Sequence, residues 1–361
     1  MKKILLPAVL IVAIIVSIGV LKLSGFFLPD EKVYVAVEGA GYIAVIDSKK
    51  QTRFRTIDLS IEQNDSTLTF APHNVQVSPD GKSVWATANM DKNRDVDARH
   101  LPNEVVVIDP ITDSVIKRIP TSPGIFLAHI AFTTDNKYAY VTAQMEGVIY
   151  KINASTYTIE KKINTGIDSE PHGIRMSPDG SSAYIAFFKS KGFGILDLKT
   201  DTVTVTSLPG TAVQTGVTPD GEYVVVSIFD TKQLAIYNTK TKKMDYLELP
   251  ADAKGPIQMY PTPDSRFMYL ADQGYYFGTP VGTQVYKIDI AAQKIVKEIK
   301  VGQGPHGVVV SKDGAFVYVT NILSGKVSVI DTSTDQEIST IWVGKEPNGI
   351  SAWSKKLGGT P

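Results

Sequence analysis

The chain has no cysteine, which removes disulfides, thiolate metal sites, cysteine nucleophiles and a lipid-modified cysteine anchor together. It also lacks a prevailing charge, because 37 Lys and Arg balance 37 Asp and Glu. Nucleic acid is held mainly by clustered cations, so no nucleic-acid partner is expected. Also missing are a Gly-x-Ser-x-Gly elbow, an HExxH pair and a Gly-rich phosphate loop. Those are the local arrangements that most directly signal hydrolysis or phosphate chemistry. What is present is 43% apolar and 20% charged residues over 361 positions, enough to bury a core and exclude disorder.

Long apolar runs are absent except at the start. Lys2 and Lys3 precede residues 4–21, which carry no charge. As a helix this run is about 27 Å long, enough to span bilayer hydrocarbon. No small-x-small cleavage site stands around residues 22–25. Residues 1–28 are therefore expected as a signal anchor or signal peptide, with the lysines inside and the remaining chain exported. The expected location is extracytoplasmic, periplasmic or at the cell surface, either anchored to the cytoplasmic membrane through residues 4–21 or secreted.

From Lys32 the pattern turns to strand and repeats. An apolar residue followed by Asp or Asn recurs at Ile46-Asp47, Ile108-Asp109, Ile152-Asn153, Leu196-Asp197, Tyr237-Asn238, Ile288-Asp289 and Ile330-Asp331, spaced by 62, 44, 44, 41, 51 and 42 residues. Periods of this length mark propellers and solenoids. A short carboxylate or amide at a strand end accepts the N–H groups of the next turn. A second column reads Ser78-Pro79-Asp80-Gly81, Ser177-Pro178-Asp179-Gly180 and Thr218-Pro219-Asp220-Gly221, with variants at Thr134-Asp135-Asn136, Thr262-Pro263-Asp264-Ser265 and Ser311-Lys312-Asp313-Gly314. Pro sets φ, Asp closes the turn and Gly accepts positive φ, so each is a hairpin. Short β-rich runs follow, ending with Tyr318-Val319-Thr320-Asn321. Each unit then holds four strands, one propeller blade.

These repeats, with Pro171-His172-Gly173-Ile174-Arg175-Met176 and the run from Pro305 to Thr320, resemble the YVTN family of seven-bladed β-propellers over residues 32–354. The resemblance implies an all-β fold of four-stranded antiparallel blades and leaves activity open. The first unit begins at Val33 without a first strand, while residues 347–353 form a first strand with no hairpin after it. The C-terminal strand is therefore expected to complete the N-terminal blade and leave no open edge. The fold class is a closed seven-bladed propeller preceded by an N-terminal hydrophobic helix and followed by a flexible tail, residues 355–361. A monomer is expected.

Insertions interrupt the rhythm. Residues 60–70 are polar, and residues 89–103 contain Asp91, Asn93, Asp95 and Asp97. Oxygen ligands at alternate positions suit calcium, although Val96 stands where a turn glycine belongs and Pro102 where a bidentate Glu belongs. A solvated polar loop is the other reading. Residues 272–284 include Gly274-Tyr275-Tyr276-Phe277-Gly278, which suits either a binding rim for a protein or small molecule or packing over a neighbouring blade.

Three histidines occupy one repeat position at the start of an inner strand: His73, His172 and His306, with Asn348 as the counterpart in the closing strand. Elsewhere the polar residue comes one position later, at His129, Gln214 and Gln258. Inner strands line the channel, so these residues are candidate ligands near one mouth, with His73, His172 and His306 as the metal set. His129, offset by one, is expected to face differently. Clustered imidazoles suit copper or zinc, and the copper-holding propeller of nitrous oxide reductase is similar in this use of channel-mouth histidines. Its second copper domain and full histidine set are missing here. The alternative is structural, with each imidazole bonding a neighbouring blade. The sequence is also similar in repeat style to lactonase-type seven-bladed hydrolases, whose chemistry would draw on carboxylates such as Asp168, Glu170 and Asp230. The leading expectation is an exported binding module with no catalytic residue assigned.

Overall fold

The computed structural model describes residues 28–63, 66–90, 101–166 and 168–360. Both the apolar run at 4–21 and the candidate calcium positions Asp91, Asn93, Asp95 and Asp97 lie outside the described residues. Among the described residues, no helix is long and apolar enough to cross a membrane. Helical structure there consists of short 3-10 turns such as Glu38–Ala40 and Tyr275–Phe277.

Seven antiparallel sheets form seven blades. Blade 1 takes three strands from the N-terminal side, Glu31–Val37, Tyr42–Asp47 and Thr52–Asp58, and its inner strand, Pro347–Ser354, from the C-terminal side. Glu31 pairs with Ser354 and Val35 with Ile350, so the ring closes as the repeat count requires. Blades 2 to 7 follow in sequence. Their inner strands are Phe70–Val77, Leu127–Phe132, Pro171–Met176, Ala212–Val217, Pro256–Pro261 and Pro305–Val310. Each touches the inner strand of the next blade, and the last touches Pro347–Ser354.

The hairpin column works as its residue types dictate. Ser177 Oγ donates to Asp179 Oδ1 (2.5 Å), which also accepts from Ser181 N (3.0 Å), and Gly180 has φ 72°. In the other column, Asp197 Oδ1 accepts from the amides of Lys199 and Thr200. Strand faces alternate toward neighbouring blades, so the core lies between blades. One apolar cluster joins Tyr34 and Val45 of blade 1 to Val75 and Val106 of blade 2, and another joins Val105 of blade 2 to Ile130 and Val141 of blade 3.

A polar clamp also ties blades together. Lys32 Nζ donates to Asp113 Oδ1 (2.8 Å) and to Pro110 O (2.7 Å), while Tyr34 OH donates to the same carboxylate (2.8 Å). Asp113 sits at positive φ in the outer turn of blade 2. The arrangement recurs where Lys151 of blade 3 meets Asp201 of blade 4, and where Lys287 and Tyr269 of blade 6 meet Asp335 of blade 7.

Two sequence expectations change. The polar insertion at 60–70 is a small hairpin, Ile61–Gln63 paired with Ser66–Leu68, and Leu68 and Phe70 are buried. Most of the expected flexible tail is ordered. Gly358–Gly359 adds a short fifth strand to blade 1, and Gln76 Nε2 donates to Thr360 O at 2.7 Å. The physical reason is glycine: a side chain at Gly358 or Gly359 would collide with the Ser78–Gly81 hairpin backbone, so only this pair lets the chain pass so closely.

Candidate metal centre at the channel mouth

The inner strands share a register shift across two residues, between Pro72 and Val75, Leu127 and Ile130, and Pro171 and Ile174 among others. Such a bulge sets two residues against one on the partner strand and re-aims a side chain. His129, the second residue of its bulge, therefore joins His73 and His172, the first residues of theirs. The offset that was expected to turn it away does not do so.

His73, His129 and His172, from consecutive blades 2, 3 and 4, bring ring nitrogens within 4.8 Å of one another, and all three are buried. Ring centroids lie 5.7 Å apart for His73 with each of the others, and 4.9 Å apart for His129 and His172. His172 Nδ1 donates to Val213 O at 2.8 Å, which leaves Nε2 with a free lone pair. Glu38 Oε2 accepts from His73 Nδ1 at 3.2 Å, and His73 Nε2 is buried without a hydrogen-bond partner. Gln214 Nε2 lies 3.3 Å from both ring nitrogens of His129. Carboxylate and carbonyl acceptors behind imidazoles are what orient histidine ligands.

His306 stands apart from this cluster. Blade 1 separates it from blade 2, and its Nδ1 meets Gln273 Nε2 at 2.7 Å. Its ring stands edge-on to Tyr276, 5.4 Å away. Asn348 Nδ2 donates to Glu38 and approaches His73 Nδ1 at 3.1 Å. Gln258 Nε2, His306 Nε2 and Asn348 Oδ1 are buried without partners, which makes the rest of the mouth polar and under-satisfied. Asp168 and Asp230 pair with Lys189 and Lys191, and Glu170 accepts from Gln144. Among their described partners there is no histidine.

The loop after the second strand of blade 6 covers this mouth. Phe277 stacks on Phe229 with centroids 3.6 Å apart and lies 5.5 Å from Phe188. Tyr276 is half exposed, yet its hydroxyl turns toward Asn348. Phe126 packs edge-on against His73 at 4.8 Å. The 272–284 loop thus packs over neighbouring blades, one of its two expected roles, whereas Glu38, Phe126, Phe188 and Phe229 escaped the sequence reading. The turn after each blade's second strand was the signal, since it lies on the same face as the inner-strand histidines.

Burial keeps His129, His172 and His306 neutral. It pushes His172 down to about 3, with the nearby His73 adding to the effect. Burial and the neighbouring His172, His73 and Arg175 hold His129 well below its usual range, and burial with His73 and His172 does the same to His306. These groups stay neutral in the folded chain while the unfolded chain takes up protons. Stability is thus complete above the ordinary value of 6.5 and falls as pH drops toward about 3. At about pH 5 the loss from His172 alone is about 2 kcal/mol, with His129 and His306 acting in the same direction. Denaturant unfolding of metal-free protein at neutral and mildly acidic pH measures this. His172→Gln should flatten the pH slope by about one proton, and an unchanged slope would contradict the assignment.

A family model described as a YNCE-like beta-propeller matches residues 266–356, from the second strand of blade 6 through the closing strand. No curated protein matches in sequence. Among solved structures, the chain is similar to hydrazine synthase of Kuenenia stuttgartiensis, with a TM-score of 0.64 and 15% identity over 80% of this chain and 94% of that one. At that identity the likeness concerns fold alone. Repeat columns and a ring of seven four-stranded blades identify the chain as a seven-bladed β-propeller, and the matched family model is consistent with the YVTN type.

Proposed function

We propose that this propeller is a binding module whose specific ligand is one copper or zinc ion, held by His73, His129 and His172. The observation that carries the reading is the convergence of three buried imidazoles within 4.8 Å, one of them with an orphaned Nε2. Metal–nitrogen bonds of about 2.0–2.1 Å put ligand nitrogens roughly 3.4 Å apart, so the rings close by about an ångström on binding. An all-imidazole set suits zinc and copper and disfavours calcium or magnesium. Glu38 and the Val213 carbonyl supply the acceptors that fix ring orientation. With three protein ligands a fourth position stays open to water or a small ligand beneath the aromatic cover.

Titration of metal-free protein with zinc or copper should saturate at one equivalent and raise thermal stability. His172→Ala should weaken binding at least about 100-fold, and Glu38→Gln about 10- to 100-fold. His306→Ala should leave affinity nearly unchanged. Absence of stoichiometric binding, or equal affinity in the His172→Ala variant, would overturn the assignment.

The same proposal places the module outside the cytoplasm, tethered by residues 4–21, on the strength of that uncharged run after Lys2 and Lys3. Fractionation of cells expressing the full chain, compared with a chain lacking residues 4–21, tests this. Recovery of the full chain in the cytosol would refute it.

A further inference from the structure

Toward the other end of the channel lies a cavity of about 400 Å³. Its wall is a collar of hairpin prolines, Pro79, Pro178, Pro219 and Pro263, together with Phe132 and Val310. Two cations border this apolar space, Arg175 and Lys312. Arg175 is on the same inner strand as His172, three residues on, and its charge depresses His129. It is partly buried and lines the cavity. Its hydrogen bond is from Nη1 to the carbonyl of Ile174, on its own strand, at 3.0 Å. Among the described residues no carboxylate forms an ion pair with it. Burial pulls the guanidinium below its ordinary value, yet a guanidinium stays charged in a protein. Lys312 Nζ donates to Gly359 O at 2.6 Å and has no carboxylate partner among the described residues either.

A partly desolvated cation without a counter-ion is stabilised when an anion completes it. A planar fork with free N–H groups matches a carboxylate bidentately. Mostly apolar walls around a few convergent polar groups are the ordinary make-up of a small-molecule site, and the volume is in that range. We propose that this cavity binds a small carboxylate with an apolar body, the carboxylate on Arg175 with Lys312 nearby and the body against the proline collar.

The test uses metal-free full-length protein and ligand-observed NMR with benzoate, 3-phenylpropanoate and octanoate, each against its primary amide. At least one carboxylate should bind in the submillimolar range, with its amide about tenfold weaker or worse. Arg175→Met should abolish the preference for carboxylate. Because it replaces a partly buried cation by an apolar side chain of similar length, it should also unfold no more easily than the parent, which confirms that the variant is folded. His172→Ala should bind the carboxylate as the parent does, which separates this site from the histidine cluster. Amides that match carboxylates, an unaffected Arg175→Met variant, or no carboxylate binding would overturn the proposal.

Discussion

A chain truncated after Gly344 should lose its cooperative unfolding transition altogether. The deleted segment carries the inner strand of blade 1, whose eight residues are all buried. Its loss strips strand Glu31–Val37 of its partner and breaks contacts on both sides of the ring. Thr320 of blade 7 donates to Asn348 O at 2.7 Å, Val77 N of blade 2 donates to Ser351 Oγ at 3.0 Å, and Trp353 Nε1 donates to Gly81 O at 2.8 Å. Removing Trp353 alone costs about 3–5 kcal/mol, against a total stability of about 5–15 kcal/mol for an ordinary domain. Thermal unfolding followed by near-ultraviolet circular dichroism reads the result. A circular permutant that places residues 345–361 ahead of Glu31 through a short linker should restore the transition, since the strand ends Glu31 and Ser354 are paired. A truncated chain that melts as sharply as the parent would refute closure as the source of cooperativity.

Asp113→Asn should destabilise the protein by about 3 kcal/mol or more, because it leaves Lys32 buried without its counter-charge. Both side chains are fully buried, so solvent screening does not soften the loss. Asn tolerates the positive φ of this turn, which makes charge the main variable. Pairing Asp113→Asn with Lys32→Met should recover most of the loss, because an apolar pair of similar volume is often as stable as a buried ion pair. Denaturant unfolding of the single and double variants forms the comparison. A single-variant loss below about 1 kcal/mol would reduce the clamp to the value of a surface pair.

The ring was legible because its turns are written in short polar residues with fixed jobs. Asp179 and Asp197 accept hydrogen bonds from neighbours two or three positions away, so their local sequence is their structure. The closing strand was legible for a different reason: residues 347–353 repeat an inner-strand pattern that has no other place to pair. The clamp was not legible, since Lys32 and Asp113 are 81 residues apart and the Asp-x-x-Thr-Asp repeat that holds Asp113, Asp201 and Asp335 does not name the lysine in the preceding blade. Inner-strand position was enough to bring His73 and His172 to one mouth. It failed for His129, because strict alternation assigns the wrong face where a bulge adds a residue. His306 shares the repeat position of His73 and His172, but its ring is engaged by Gln273 and Tyr276, partners that the repeat position does not name. Arg175 stood in plain view in the Pro171–Met176 strand, and its lack of a counter-ion depends on what the other six blades fail to offer.

Ring closure has a consequence in time. Strand Glu31–Val37 leaves the ribosome about three hundred residues before its partner, Pro347–Ser354, a wait on the order of half a minute at roughly 5–20 residues per second. Throughout that interval blade 1 presents an unpaired edge of valines and a tyrosine to whatever chain is nearby. A propeller of this design is therefore most vulnerable while it is still being made. The last strand to emerge is the one that ends the exposure.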